Sequence, residues 1–245
     1  MSDYMEILGI KINKVDMKQA ISEVDNFIKN KQQASIVTPN SEIIVMAQDN
    51  KELAEIINNA SLSVADGAGV VLASKLYQEP LKERVAGFDL MQSLLKLANE
   101  NNYSMYFLGA EEVVVETARK NVLKQYPEIN ILGTHHGFID KEMENELIQE
   151  INNLEINLLF LGMGVPLQEK FIKRNMAKLN ANIIMTVGGS FDVLAGKVNR
   201  APVWMQKLNL EWFYRLLQEP KRIGRVLALP RFVILVFFDR MRRAR

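Results

Sequence analysis

Short apolar runs alternate with longer amphipathic stretches from Met5 to about Gly196, and this alternation constrains the chain more than any other feature. Six runs, at 34–38, 61–65, 104–108, 129–132, 157–161 and 182–187, are short and end in turn-forming or polar residues, so they read as buried strands. Between them the apolar residues take helical spacing, at 16–31, 41–60, 88–101, 111–126, 141–153 and 167–179. Apolar strands separated by helices of this length predict an α/β fold with a mostly parallel sheet flanked by helices.

The pattern changes near Gly196. After Pro202 the chain reads as helical, with breaks expected at Pro220 and Pro230. The expected division is therefore a catalytic body over 1–195 and a helical appendage over 196–245. The charge divides similarly. Lys221 to Arg245 holds eight basic residues against one acid, Asp239, a net +7; the whole chain is +1, which leaves −6 on the first 220 residues. Threaded through the basic stretch is an apolar run from Phe232 to Phe238. Such a helix either docks on its own core or lies on an anionic membrane, and dense charge of one sign favours the membrane. Val226 to Phe238 is thirteen residues with Pro230 and Arg231 inside, against the ~20 needed to cross a bilayer. Arg231, Phe232, Phe237, Phe238, Arg240, Arg242 and Arg243 are the expected lipid contacts. Away from lipid, self-association is expected to cover the apolar surface. Nucleic acid is not an expected partner, because the acidic body would repel it.

With no cysteine, disulfides, thiolate zinc sites and cysteine nucleophiles are excluded. The first residues are acidic and lack the pattern of a secretory signal. The expected location is cytoplasmic, at the inner face of the membrane and peripheral to it.

In open parallel sheets, ligands bind outside the carboxyl ends of the strands. Those ends carry Thr38 and Asn40, then Asp66-Gly67, then Gly109, Gly162 and Gly164, and finally Gly188-Gly189. Asp66 follows an apolar run directly. It reads as a general base for a substrate hydroxyl, or equally as the N-cap of a following helix. Thr38 and Asn40 read as site groups or as turn and cap residues. Gly188-Gly189 marks a tight turn or a diphosphate cradle. Gly67/Gly69 and Gly162/Gly164 begin a dinucleotide fingerprint, but Leu72 and Leu167 stand where its third glycine belongs, which weakens a nicotinamide-enzyme reading. His135 and His136, as neighbours on a strand, should face opposite ways and share no metal. No D-x-D pair is present. Arg84 lies in a loop. Arg215, Arg222 and Arg225 would share a face of an unbroken helix, as a diphosphate clamp or as a solvated or lipid-phosphate-binding face.

The motifs Thr38-x-Asn40, Ala65-Asp66-Gly67, Gly87-x-Asp89, Phe107-Leu108-Gly109, Leu161-Gly162-x-Gly164-x-Pro166-x-Gln168-Glu169, Gly188-Gly189-x-Phe191-Asp192, Arg200-Ala201-Pro202 and Glu211-Trp212-x-x-Arg215-Leu216 together resemble the bacterial WecG/TagA/CpsF glycosyltransferase family. The resemblance implies a Rossmann-like α/β body and a metal-independent, inverting transfer without a cofactor. An N-acetylmannosamine unit would pass from its UDP-activated form to the 4-hydroxyl of N-acetylglucosamine on undecaprenyl diphosphate, in teichoic acid assembly. Relatives with other donors, such as the uronic acid of the same sugar, leave the sugar open. On this resemblance Asp66 is the base, oriented with the acceptor by Thr38 and Asn40. Arg84 and Gln168 line the pocket. Asp89, Gly164, Glu169, Gly188, Gly189 and Asp192 join the substrate-binding set. Arg215, Arg222 and Arg225 stabilise the departing diphosphate, and the appendage completes the site at the membrane.

Overall fold

The computed structural model describes residues 3–208, 210–220 and 223–243. Six strands, β3 (Ala34–Val37), β4 (Leu62–Ser63), β5 (Met105–Gly109), β6 (Ile131–His135), β7 (Leu158–Gly162) and β8 (Ile183–Thr186), form one parallel sheet in the order β4-β3-β8-β7-β5-β6. The Rossmann-like expectation holds. Each apolar run became a strand because helices cover both faces. Phe107, Phe160 and Met185 enter one core, and Leu108, Leu161 and Ile184 enter the core on the opposite face. β6 starts later than expected and ends in Gly133-Thr134-His135. It is an edge strand paired with β5 alone, so one side need not be apolar.

The flanking helices are α1 (Met17–Lys29), α2 (Ser41–Asp49), α3 (Lys51–Asn58), α4 (Ala68–Leu76), α5 (Gly87–Asn101), α6 (Glu112–Gln125), α7 (Lys141–Asn153), α8 (Leu167–Asn175) and α9 (Ser190–Leu194). The single helix expected over 41–60 is two, because Asn50 ends α2 and its carbonyl side chain caps α3 through the Leu53 N–H. A hairpin of β1 (Tyr4–Ile7) and β2 (Ile10–Asn13) was not expected. Leu8 and Gly9 both take positive φ, which suits a tight two-residue turn. The alternating residues Met5, Ile7, Ile10 and Ile12 are all buried.

Beyond residue 196 come α10 (Val203–Lys207), α11 (Glu211–Gln218), α12 (Ile223–Val226) and α13 (Ala228–Arg243). Pro230 does not break α13. It sits in the first turn, where its missing N–H costs nothing. α13 is also not detached from the body. It packs on α2 and α4, laying Phe232 and Val236 into the core that holds the hairpin. No helix among the described residues is long and apolar enough to cross a membrane.

Candidate active site

The strand order sets Asp66, Thr38, Gly188 and Gly162 side by side at the carboxyl edge, beyond β4, β3, β8 and β7. Strands lie ~4.8 Å apart, so the row spans about 14 Å. The Asp66 N–H donates to the Pro39 carbonyl at 3.2 Å, and the Val85 N–H to the Ala65 carbonyl at 3.0 Å. These bonds bring the start of α5 against the Asp66 turn, where the Gly87 N–H donates to the Asp66 carboxylate. Gly87 can approach because it lacks a side chain: an added Cβ would stand 3.0 Å from Thr38 Oγ1. The capping alternative for Asp66 does not hold. The N-cap of α4 is Gly67, at φ +97, and no side chain caps that helix.

Asp66 is half-buried, and its pKa is raised above 3.8. Desolvation is the leading cause. The charges of Arg84 and Arg215 and the Gly87 N–H pull the other way, and Glu211 adds a little to the rise. A carboxylate biased toward holding a proton is suited to receive one from a substrate alcohol. Asn40 fulfils its capping reading, its Oδ1 accepting from the Ile43 N–H at 3.0 Å. Its Cβ lies 3.6 Å from where a Gly67 Cβ would be, so the cap also abuts the Asp66-Gly67 turn.

The cations come from two directions. Arg84 arrives from the loop before α5 and donates through Nη2 to Glu211 at 2.7 Å. Glu211 and Arg215, four apart on α11, share the face turned toward the body. Arg215 is half-buried with no ion-pair partner among the described residues. Arg200 binds both oxygens of Asp89, at 2.6 and 2.8 Å, lies over the Phe88 ring, and reaches Glu211 at 3.3 Å. Asp89 is thus a clasp for the segment after β8 rather than a free substrate ligand, because Arg200 occupies its carboxylate bidentately. The clamp of three arginines on one continuous helix is also corrected. α11 stops at Gln218, Arg225 lies on α12 and pairs with Glu42 at 3.6 Å, and Arg222 lies outside the described residues.

Gln168 and Glu169 lie beneath the row instead of lining it, each 2% exposed. Gln168 accepts the Gly188 N–H at 3.1 Å and donates to Glu169 at 2.8 Å. Burial pushes the Glu169 carboxyl up to about 7. Above them, Gly164 and Gly188 have positive φ and open space around their Cα atoms. Asp192 stands 3.5 Å from a Cβ built on Gly189 and 3.7 Å from Lys197 Nζ.

The outer face of the C-terminal helices is apolar. Trp204, Trp212, Phe213, Leu217, Ile223, Leu227, Val233, Ile234, Phe237 and Phe238 are exposed. The apolar run expected at 232–238 covers only the last four of these; the rest are spread over several helices and form no single run in the sequence. Phe232 must be withdrawn from the lipid face. With Val236 it forms the (i, i+4) stripe of α13 that packs inward. Arg231 and Arg243 spend part of their charge on the body, on Asp49 at 2.9 Å and over the Tyr77 ring at 4.7 Å. Arg240 and Arg242 are exposed. The histidines do not diverge: His136 lies past the end of β6, and the rings sit 4.3 Å apart. Among the described residues no three His, Asp or Glu converge as metal ligands.

Residues 5–245 match the sequence model of the Glycosyl transferase WecG/TagA/CpsF family. The chain is 39% identical over 231 residues to the N-acetylglucosaminyldiphosphoundecaprenol N-acetyl-beta-D-mannosaminyltransferases of Staphylococcus aureus strains MW2 and NCTC 8325 / PS 47. The similarity to that of strain MRSA252 is 38%. Each comparison covers 94% of this chain and 90% of the relative.

Proposed function

The chain belongs to the WecG/TagA/CpsF glycosyltransferase family, and from that premise we propose the reaction its strand edge performs. It is a hexosyltransferase that moves N-acetylmannosamine from UDP-N-acetylmannosamine to the 4-hydroxyl of N-acetylglucosamine on undecaprenyl diphosphate. This builds the linkage unit of wall teichoic acid. Asp66 takes the proton of the 4-hydroxyl as its oxygen attacks the anomeric carbon. The bond from that carbon to the UDP oxygen breaks on the opposite face, and its electrons leave with the diphosphate. The attack is in line, so the new bond is β and the configuration inverts.

The observation that carries this reading is the grouping of one desolvated carboxylate with Arg84 and with Arg215, which has no ion-pair partner among the described residues, at the carboxyl edge of the sheet. Preorganised guanidiniums stabilise charge that develops on a leaving diphosphate, the role a divalent ion otherwise takes. Arg225 on α12, and Arg222, which lies outside the described residues, are proposed as further cations for the diphosphate. Thr38 packs against the Gly87 that holds the base, and Asn40 shapes the turn beneath it. The Gly188-Gly189 turn, with Gly164 and Asp192 beside it, holds the nucleotide. Residues 1–195 act as the catalytic body and 196–245 as the appendage that meets anionic lipid at the cytoplasmic face. There the exposed stripe and Arg240 and Arg242 bind peripherally. Off the membrane the same stripe drives self-association.

The test is a screen of UDP-sugars, the uronic acid donor included, with a short lipid-diphosphate-linked N-acetylglucosamine, following UDP release without added metal. Release with UDP-N-acetylmannosamine and not with the uronate supports the reading. Selectivity for the uronate would overturn the donor assignment.

A further inference from the structure

Four side chains form one chain of ion pairs across the junction between body and C-terminal helices: Asp89 to Arg200, Arg200 to Glu211, Glu211 to Arg84. Asp89 and Arg84 belong to the body, while Arg200 and Glu211 come after β8. The two links at Glu211 are well shielded, with Arg84, Glu211 and Arg200 side chains only 19%, 20% and 24% exposed. Surface ion pairs contribute little, but shielded charges with several hydrogen bonds hold geometry. The pairing at Arg84 is also selective. Glu211 takes one guanidinium nitrogen, Nη2, and the others have no partner among the described residues. A guanidinium anchored at one corner is held in place and still offers donors to a second anion. At its other end Glu211 is held by an arginine that Asp89 already fixes on two oxygens. Glu211 therefore cannot shift without breaking either link.

We propose that Glu211 is a positioning residue for the transfer: from α11 it sets the position of Arg84 beside Asp66, and the Asp89–Arg200 pair sets Glu211. Docking of α11 is thereby written directly into the geometry of the site. The inference rests on the reading of Asp66 as base and Arg84 as a substrate-facing cation. It adds that Glu211 matters to chemistry only through Arg84.

A double-mutant cycle on the full-length protein tests it, with UDP release as the assay. Glu211→Ala is expected to lower kcat/KM about 10- to 100-fold, the scale of losing orientation at a catalytic group. Glu211→Asp, which keeps the carboxylate, should recover part of that loss. On an Arg84→Ala background, or Arg84→Lys should the alanine variant be too slow to follow, Glu211→Ala should cost less than about twofold more, because partners in one network do not add. Asp89→Asn should behave as a weaker copy of Glu211→Ala, and the two together should not multiply. Thermal melting and trypsin resistance of the C-terminal helices are followed in each variant. Multiplicative losses would overturn the proposal, since Glu211 would then serve the fold alone. Unchanged kcat/KM in Glu211→Ala would overturn it as well. Asp66→Asn, measured alongside, keeps the two readings apart: if it is inactive while Glu211→Ala is normal, the base survives and only the positioning role falls.

Discussion

Replacing Asp66 by Asn should remove activity and raise stability together. Loss of a positioned base costs roughly 10²- to 10⁴-fold in rate, about 3–5 kcal/mol of barrier at ~1.4 kcal/mol per tenfold. The stability effect follows from the direction of the pKa shift. Burial lifts the folded-state pKa above 3.8 against the combined pull of Arg84, Arg215 and the Gly87 N–H. The folded protein thus keeps a proton that the unfolded chain releases between 3.8 and the raised value. Stability falls as pH rises through that window, and the full penalty remains above it. Asn carries no charge to desolvate and still offers Gly87 an acceptor. Each unit of lifted pKa corresponds to about 1.4 kcal/mol, and 1 kcal/mol moves the Tm of a chain this size by about 2–4 °C. Asp66→Asn should therefore melt higher at pH 7, and the gain should shrink as pH falls toward 4. Calorimetry across pH, with UDP release and UDP binding on the same samples, reads all three quantities. Binding should persist. A variant that turns over normally would remove the base, and one that melts lower at pH 7 would show that the carboxylate is stabilised where we place it under strain.

If guanidiniums neutralise the leaving group as proposed, chelation with EDTA should leave the rate of UDP release unchanged; a rate that collapses and returns with magnesium or manganese would refute this. Phe232→Ala should destabilise the fold by about 3–5 kcal/mol in denaturant titration, as expected for a buried phenylalanine. Phe237→Ser with Phe238→Ser should leave the melting curve nearly unchanged but weaken sedimentation with anionic vesicles. Binding to those vesicles should decline from 0.05 to 0.5 M salt, as screening shortens to about 4 Å, and a salt-insensitive association would argue against Arg240 and Arg242 as lipid contacts.

Much of this was legible because burial writes itself into sequence. Strands covered on both faces, such as β7 and β8, must be apolar throughout, and their runs located them nearly to the residue. Where one side is uncovered the signal faded, as in β6, and a four-residue strand of the hairpin carries too few alternations to separate from helix spacing. At the site, Asp66 stood out as a carboxylate behind an apolar run, but whether it capped α4 was decided only by the backbone of Gly67. Gln168 and Glu169 show the opposite failure. Polar residues beside glycines at a strand end read as ligands, and only the packing of α8 against β8 reveals them as the buried support of the Gly188 turn. The ion pairs joining Asp89, Arg200, Glu211 and Arg84 span up to 127 positions, and no local pattern specifies a contact over that distance.

In the proposed orientation, α11 links the membrane and the chemistry by helical period alone. Glu211 and Arg215 lie on the face toward the base, while Trp212, Phe213 and Leu217 are exposed away from it. A helix with its side chains is about 10–12 Å across. In the proposed orientation, then, the lipid surface and the cationic side of the site are separated by one helix and nothing more. The acceptor is a sugar on a diphosphate whose lipid stays in the bilayer, so it can be presented only to a site that close. A basic residue placed for the lipid alone would gain nothing from facing inward, and an active-site arginine placed for the donor alone would not need aromatic neighbours exposed behind it. In the proposed orientation the two faces of α11 suit a substrate that is anchored in lipid and whose own hydroxyl, activated by a carboxylate, attacks the donor, and this pairing, more than either face, would tie the C-terminal helices to the reaction.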